Sequence, residues 1–252
     1  MLNKKPLIKE PAAFRAVRSF VRREGRMTKG QKNALDRLWP RYGIDMQEDF
    51  LDMDAVFGRN ASCILEIGLG MGDALVEMAQ THPENNYLGI EVYRPGVGSV
   101  LKKLDERGVT NVRVICEDAA VVLERMIPDF SLDAVCIFFP DPWPKKRHHK
   151  RRLIQTSFIE LLGDKLKPGG VLHMATDWED YAHHMMTVMN CVPELVNAAG
   201  PNHFSPRPVY RPTTRFEQRG RRLGHQVWDL VFNRVDQASS ISSSPSTPSS
   251  PQ

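Results

Sequence analysis

Four carboxylates stand close to where apolar runs give way to turns. They are Glu66 just ahead of Gly68-Leu69-Gly70-Met71-Gly72, Glu91 after Gly89-Ile90, Asp118 after Glu117, and Asp141 between Pro140 and Pro142. Glycines Gly68, Gly70 and Gly72 let a chain turn sharply and let its backbone approach a ligand. A dinucleotide fingerprint would need glycine at 68, 70 and 73, but position 73 is Asp73. That carboxylate would sit at a helix N-terminus where a pyrophosphate belongs, so a ligand without phosphate fits better. Glu91, about 20 residues beyond the glycines, is placed to hold two ribose hydroxyls. Asp118 is placed to accept from an adenine amino group. Each acid alone also reads as a helix cap or a solvated chain end; the set together with the glycine turn reads as a nucleoside site.

The fourth run ends in Phe138-Phe139-Pro140-Asp141-Pro142-Trp143-Pro144. Prolines on both sides restrict where the Asp141 carboxylate can point. Trp143 offers a face on which a base can stack. Lys145, Lys146, Arg147, His148, His149, Lys150, Arg151 and Arg152 follow, six Lys/Arg and two His in eight residues, a density suited to phosphates. The alternative is a Pro-rich loop leading into a solvated helix start. Such crowded positive charge opposes folding unless something negative docks on it.

The elements that must carry these residues alternate. Residues 62–68, 86–91, 111–117, 132–139, 169–177 and 225–235 read as strands. Residues 74–80, 99–108, 119–127, 152–166 and 180–190 read as helices. Lys32–Trp39 reads as a short helix stopped by Pro40. The order predicts an α/β fold, a doubly wound, mostly parallel sheet with helices on both faces and ligands at the carboxyl ends of its strands.

Charge is segregated around this core. Residues 1–41 carry 12 basic against 3 acidic residues, net +9; residues 42–144 are net −11 and residues 145–252 net +6, within a total of +4. An acidic centre between basic flanks suits a polyanion gripped by the flanks. The division expected is a basic N-terminal arm with a short helix (1–41), one catalytic domain (42–236) and a Ser/Pro-rich tail (237–252) of disordered composition. No apolar run approaches the roughly 20 residues of a membrane span, and the N-terminus lacks a signal-peptide core. Cys63, Cys116, Cys136 and Cys191 form no metal-binding spacing and read as small core residues in a reducing compartment. No metal site is expected.

The glycine turn and its acids resemble the Rossmann-like, S-adenosylmethionine-dependent methyltransferases, whose ligand is a nucleoside bearing a sulfonium. That resemblance implies a seven-stranded sheet. P-D-P-W-P-K-K-R-H-x-K-R-R at 140–152 is more specific and resembles the signature of the bacterial tRNA (guanine-N7)-methyltransferase family. Ser19–Arg23, Glu66–Gly72, Gly89–Glu91, Ala175–Trp178, Thr214–Glu217, Gly224-His225 and Trp228–Leu230 agree in order and spacing. Arg215 stands where lysine is common.

The resemblance implies methyl transfer from S-adenosylmethionine to N7 of a guanosine in the tRNA variable loop, position 46 of the tRNA, by a cytoplasmic monomer or homodimer. It implies cofactor contacts at Glu66, Glu91, Asp118 and Asp141, with Asp141 also catalytic. It implies substrate contacts at Lys145, Asp177, Thr214, Arg215, Phe216 and Glu217, and RNA contacts across Arg147, His148, His149, Lys150, Arg151 and Arg152. Guanine N7 has a free lone pair and needs no general base. Asp141 either reads the guanine N1–H and amino edge or stabilises charge growing on the purine. Asp177 and Glu217 are candidates for the same edge, with surface or capping roles as the alternative. Two other readings stand beside this one: an amino-methyltransferase of another substrate, and a non-catalytic RNA-binding protein of the same fold.

Overall fold

The apolar runs become the strands of one eight-stranded sheet in the computed structural model, which describes residues 25–213, 217, 218, 220, 224 and 226–235. Six strands run parallel: β1 (Gly43–Ile44), β2 (Cys63–Ile67), β3 (Asn86–Ile90), β4 (Val112–Ile115), β5 (Leu132–Phe138) and β6 (Leu166–Thr176). The hairpin partners β7 (Leu195–Asn197) and β8 (Trp228–Arg234) close one side, with β8 antiparallel to both β6 and β7. The order is β1-β4-β3-β2-β5-β6-β8-β7. The count is eight where seven were expected. Two strands lie outside the runs read as strands, the three-residue β7 and β1, a two-residue pairing of Gly43 and Ile44 with Val114 and Ile115 at the sheet edge, both too short to carry a periodicity in sequence.

Successive strand residues face opposite sides, so β5 feeds two cores. Val135 and Ile137 join one apolar cluster with Leu65, Leu123 and Ile159. Cys136 and Phe138 join the other with Leu75, Val100 and Leu104. The covering helices are α1 (Lys29–Tyr42), α2 (Met53–Phe57), α3 (Asp73–Thr81), α4 (Arg94–Glu106), α5 (Ala119–Arg125), α6 (Thr156–Lys165) and α7 (Glu179–Met189), with a 3-10 helix at Lys146–Arg151.

Three boundaries differ from expectation. Helix α1 runs past Pro40 to Tyr42, because a proline in the last turn removes one hydrogen bond without obstructing the turns before it. Its Thr28 and Gln31 form a reciprocal capping box, and Leu35, Leu38 and Tyr42 are buried in the second cluster. The helix thus belongs to the packed body rather than to a separate arm. Helix α4 begins at Arg94, five residues before the expected start, with Pro95 in its first turn. Its Gly96 and Gly98 look like helix breakers in sequence, yet close packing explains them. A Cβ on Gly96 would lie 2.2 Å from the Gly70 carbonyl oxygen, and one on Gly98 would lie 2.6 Å from that of Gln31. Residues 152–155 stay outside α6. Of the cysteines, Cys63 and Cys136 are buried, Cys116 is half-buried and Cys191 is exposed.

Candidate active site

Strands β3 and β4 lie to one side of β2, and β5 lies to the other. Where strand order reverses in this way, the connections leave in opposite directions and open a crevice at the carboxyl ends. A cavity of about 510 Å³ lies there. Its wall is drawn from every strand end around the switch: Ile67, Gly68 and Gly70 at the end of β2, Glu91 to Tyr93 after β3, Glu117 to Ala119 after β4, and Phe138 to Asp141 with Trp143 at the end of β5.

The turn after β2 is held open by backbone conformation. Gly68, Gly70 and Gly72 have φ of 81°, 55° and 76°, a region costly for any residue with a Cβ. Gly72 is further restricted: an added Cβ would meet Val100 Cγ2 at 2.2 Å. Asp73 opens α3, and Lys103 from α4 pairs with its carboxylate while donating to the Met71 carbonyl at 2.8 Å. The site of a would-be pyrophosphate therefore holds an ion pair built into the fold.

The acids around the cavity are not equivalent. Glu91 is 9% exposed, and its two oxygens accept from the Gly70 and Tyr93 N–H groups at 2.8 and 2.9 Å. Burial pushes its pKa up, against the pull of those hydrogen bonds, and the Asp141 charge adds to the push. Glu66 lies on β2 behind the cavity wall, 2% exposed, and its Oε2 has no hydrogen-bond partner among the described residues. Burial, reinforced by Glu91, raises its pKa to about 8. Asp118 caps α5, accepting from Ala120 N at 2.9 Å. A cavity lined by Glu91, Glu117, Asp118 and Asp141 suits a ligand that brings positive charge and hydroxyl or amino donors.

Asp141 stands exposed at the mouth of the cavity. Its loop is strained at both ends, with φ of 52° at Phe139 and 46° at Trp143. For bulky residues such conformations persist only when the surroundings impose them. At one end Phe139 N donates to the Ala175 carbonyl at 2.7 Å. At the other, Arg152 Nε donates to the Pro142 carbonyl at 3.0 Å.

The basic run divides into two groups. Lys145, Arg147 and Lys150 are exposed. Arg151 lays its guanidinium over the Trp143 ring at 5.2 Å, and His148 meets that ring edge-on at 5.9 Å. The Trp143 face open to a base is thus already partly covered, and its Nε1 is buried without a partner among the described residues. Burial and the surrounding cations depress the His148 pKa. Arg152 departs from the RNA-contacting role: it is 2% exposed, pairs with Asp180, contacts His149 Nε2 at 3.1 Å and lies over the Tyr181 ring. His149 is half-buried within that group, 3.8 Å from Asp180.

Asp177 follows the end of β6 and is half-buried. Thr214, Arg215 and Phe216 lie outside the described residues, as do Ser19–Arg23 and His225. Glu217 is fully buried, with Arg211 Nη1 donating to its Oε2 at 2.6 Å. This pair belongs to a network unforeseen in sequence. Arg211 Nη2 also reaches Asp229 Oδ2 at 3.1 Å, and the other Asp229 oxygen lies 2.8 Å from His173 Nε2. Burial lowers the His173 pKa, against the pull of the Asp229 carboxylate. The Arg211 guanidinium lies 5.7 Å from the Phe139 ring centroid, directly behind the Asp141 loop. Among the described residues no group of His, Cys, Asp and Glu is arranged to hold a metal ion, and no helix is long and apolar enough to cross a membrane.

Residues 60–230 match the protein family described as "Putative methyltransferase". The chain is 56% identical over 225 residues to the tRNA (guanine-N(7)-)-methyltransferase of Hydrogenovibrio crunogenus, covering 89% of this chain and 94% of that protein. It is 58% identical over 224 residues to the enzyme of the same name from Edwardsiella ictaluri, with the same coverage. Among solved structures, the fold is similar to the 16S rRNA (adenine(1408)-N(1))-methyltransferase from Catenulisporales acidiphilia with its cosubstrate, at TM-score 0.52 and 17% identity over 76% of this chain and 95% of that one.

Proposed function

The chain belongs to the tRNA (guanine-N7)-methyltransferase family, and from that premise we propose how its residues carry the reaction. The enzyme transfers a methyl group from S-adenosylmethionine to guanine N7 in tRNA. The observation that carries the assignment of roles is the cavity at the strand-order switch, walled by carboxylates, with Asp141 at its mouth.

S-adenosylmethionine, when bound, supplies an electrophilic methyl on a sulfonium. Gly68, Gly70 and Gly72 would provide the backbone surface against it. Glu91 would take the ribose hydroxyls with the lone pairs left after Gly70 and Tyr93 are satisfied, and Asp118 would take the adenine amino group. Glu66 backs the site from β2. The cationic group would meet a wall that carries Glu91, Glu117, Asp118 and Asp141.

With the cofactor held there, the guanine N7 lone pair would form the new N–CH3 bond while the C–S bond breaks and its electron pair stays on sulfur as a neutral thioether. No proton has to leave, and the product purine is cationic. Catalysis therefore rests on alignment and exclusion of water and on a carboxylate beside the developing charge. Asp141, fixed between Pro140 and Pro142, is the catalytic residue for that charge or for the guanine edge. Lys145, Asp177 and the Thr214–Glu217 run hold the substrate nucleotide, with Glu217 acting from its buried place on Arg211. Arg147, His148, His149, Lys150 and Arg151 face the tRNA phosphates, and the net positive charge of residues 1–41 adds to the attraction. The target is the variable-loop guanosine at tRNA position 46. The enzyme acts in the cytoplasm as a monomer or homodimer, without a metal.

Incubation with unmodified tRNA and methyl-labelled cofactor, followed by mapping of the labelled base, tests this reading. Label on guanine N7 is expected. Label on an exocyclic amino group would instead identify an amino-methyltransferase, and tRNA binding without label or cofactor uptake a non-catalytic RNA-binding protein.

A further inference from the structure

A guanidinium that grips phosphate must reach solvent, and Arg152 does not. Its side chain is 1% exposed, enclosed by the 3-10 helix it follows and by α7. Two of its nitrogens and its plane are engaged. Nε donates to the Pro142 carbonyl, Nη2 pairs with the Asp180 carboxylate and touches His149 Nε2, and the guanidinium plane lies 4.8 Å from the Tyr181 ring centroid. The Arg152 hydrogen bond in turn holds the Asp180 carboxyl below its usual range. Tyr181 is itself fully buried and its hydroxyl accepts from Ile154 N at 3.2 Å.

The Pro142 carbonyl is the important partner. It lies one residue after Asp141 and one before Trp143, whose φ of 46° needs an imposed backbone. Proline has no N–H, so Pro140, Pro142 and Pro144 leave this loop few ways to fasten itself through its own donors. A buried donor from outside the loop supplies the fastening. Lysine could not reproduce it, because one ammonium lacks the fork that reaches a carbonyl and a carboxylate at once.

We propose that Arg152 is a positioning residue for the Asp141 loop, acting through the Pro142 carbonyl and anchored by Asp180, and not an RNA ligand. The assignment rests on the methyl-transfer reading given above. Arg152 sets the height of Asp141 at the cavity mouth, while its neighbours Arg147, Lys150 and Arg151 face outward for the nucleic acid.

The test uses the full-length enzyme with unmodified tRNA and S-adenosylmethionine. Arg152→Lys, Arg152→Gln, Asp180→Asn and Lys150→Gln are compared for kcat at saturating tRNA and for tRNA affinity across a salt series. Arg152→Gln is expected to lower kcat by about tenfold or more with an unchanged salt slope, and Arg152→Lys to recover only part of it. Asp180→Asn lowers kcat in the same direction, and less than additively in combination with Arg152→Gln. Lys150→Gln flattens the log–log salt slope by about 0.7–0.9. A flattened slope with unchanged kcat for Arg152→Gln overturns the proposal. Where Arg152→Gln fails to fold, Asp180→Asn decides, since Asp180 is largely exposed; an unchanged kcat in that variant overturns it as well. Failure of the methyl-transfer reading is seen separately, as a wild-type enzyme that does not label guanine N7.

Discussion

The Gly70 backbone N–H donates to the Glu91 carboxylate at 2.8 Å, so the acid that ends β3 fastens the glycine turn that ends β2. One side chain therefore shapes the cavity and, on the proposed reading, would offer its remaining lone pairs to the ligand. Glu91→Ala removes both contributions. Cofactor affinity measured by calorimetry is expected to fall by about 1.5–3 kcal/mol, the size of a lost hydrogen bond to a charged group. An unchanged affinity in a folded Glu91→Ala protein would remove Glu91 from the site.

Glu66 gives a stability effect with a defined sign. Its pKa is raised from the ordinary value of 4.5 to about 8 in the folded protein, so between those limits the folded state holds a proton that the unfolded state has released. Stability then falls as pH rises through that window. Glu66→Gln places a neutral group of the same shape on β2 and removes this pH dependence. The expected result is a rise in Tm at pH 8 with little change near pH 4.5. An equal effect at both pH values would show that Glu66 carries no such proton.

Asp141→Asn keeps the shape of the loop and removes its charge. On the proposed role, turnover is expected to fall far more than tRNA affinity, because a carboxylate beside the purine would matter most as positive charge grows with methyl transfer. Turnover retained within a factor of about three, under ~0.7 kcal/mol of barrier, would make Asp141 structural.

Much of this site is legible in sequence because it is local. Each of Glu91, Asp118 and Asp141 directly follows a strand or its short extension, and a parallel sheet brings strand ends together without help from the rest of the chain. The glycine turn is legible for the same reason. Roles that depend on distant partners are not. His173 and Asp229 are 56 residues apart in sequence and 2.8 Å apart in the fold, and no spacing announces that Arg211 joins them to Glu217. Arg152 sits in a run of basic residues whose composition is uniform, so the sequence could not separate the buried member from the exposed ones. Gly96 and Gly98 mislead for a related reason: the carbonyls that require them come from the glycine turn and from α1.

The buried network predicts a coupling between Arg211 and Glu217. Breaking a buried pair from one side leaves a charge uncompensated, at a cost of about 3–5 kcal/mol, partly offset here because Asp229 remains on Arg211. Glu217→Gln and Arg211→Gln are each expected to lower stability in denaturant titrations, and the double variant to lose much less than their sum. Additive losses would show that the two side chains act independently and that Glu217 is held by other contacts.

The outward members of the basic run carry the last prediction. Arg147, Lys150 and Arg151 follow the Asp141 loop and, unlike Arg152, are not buried: the first two are exposed and Arg151 is half-buried over Trp143. A nucleotide placed at the mouth brings its flanking phosphates to them. Arg151 covers part of Trp143, so a phosphate that drew it away would also free that ring for a base. Neutralising all three should weaken tRNA binding and leave cofactor affinity intact, since none of them lines the cavity. Bound phosphates release their counterions, so the log–log dependence of affinity on salt should flatten by about 0.7–0.9 for each phosphate no longer neutralised. The measurement is tRNA affinity across a salt series for the wild-type and triple-variant proteins. An identical slope in the two would mean that these cations only solvate a surface turn, and the grip on tRNA would pass to the basic residues between Arg15 and Arg41.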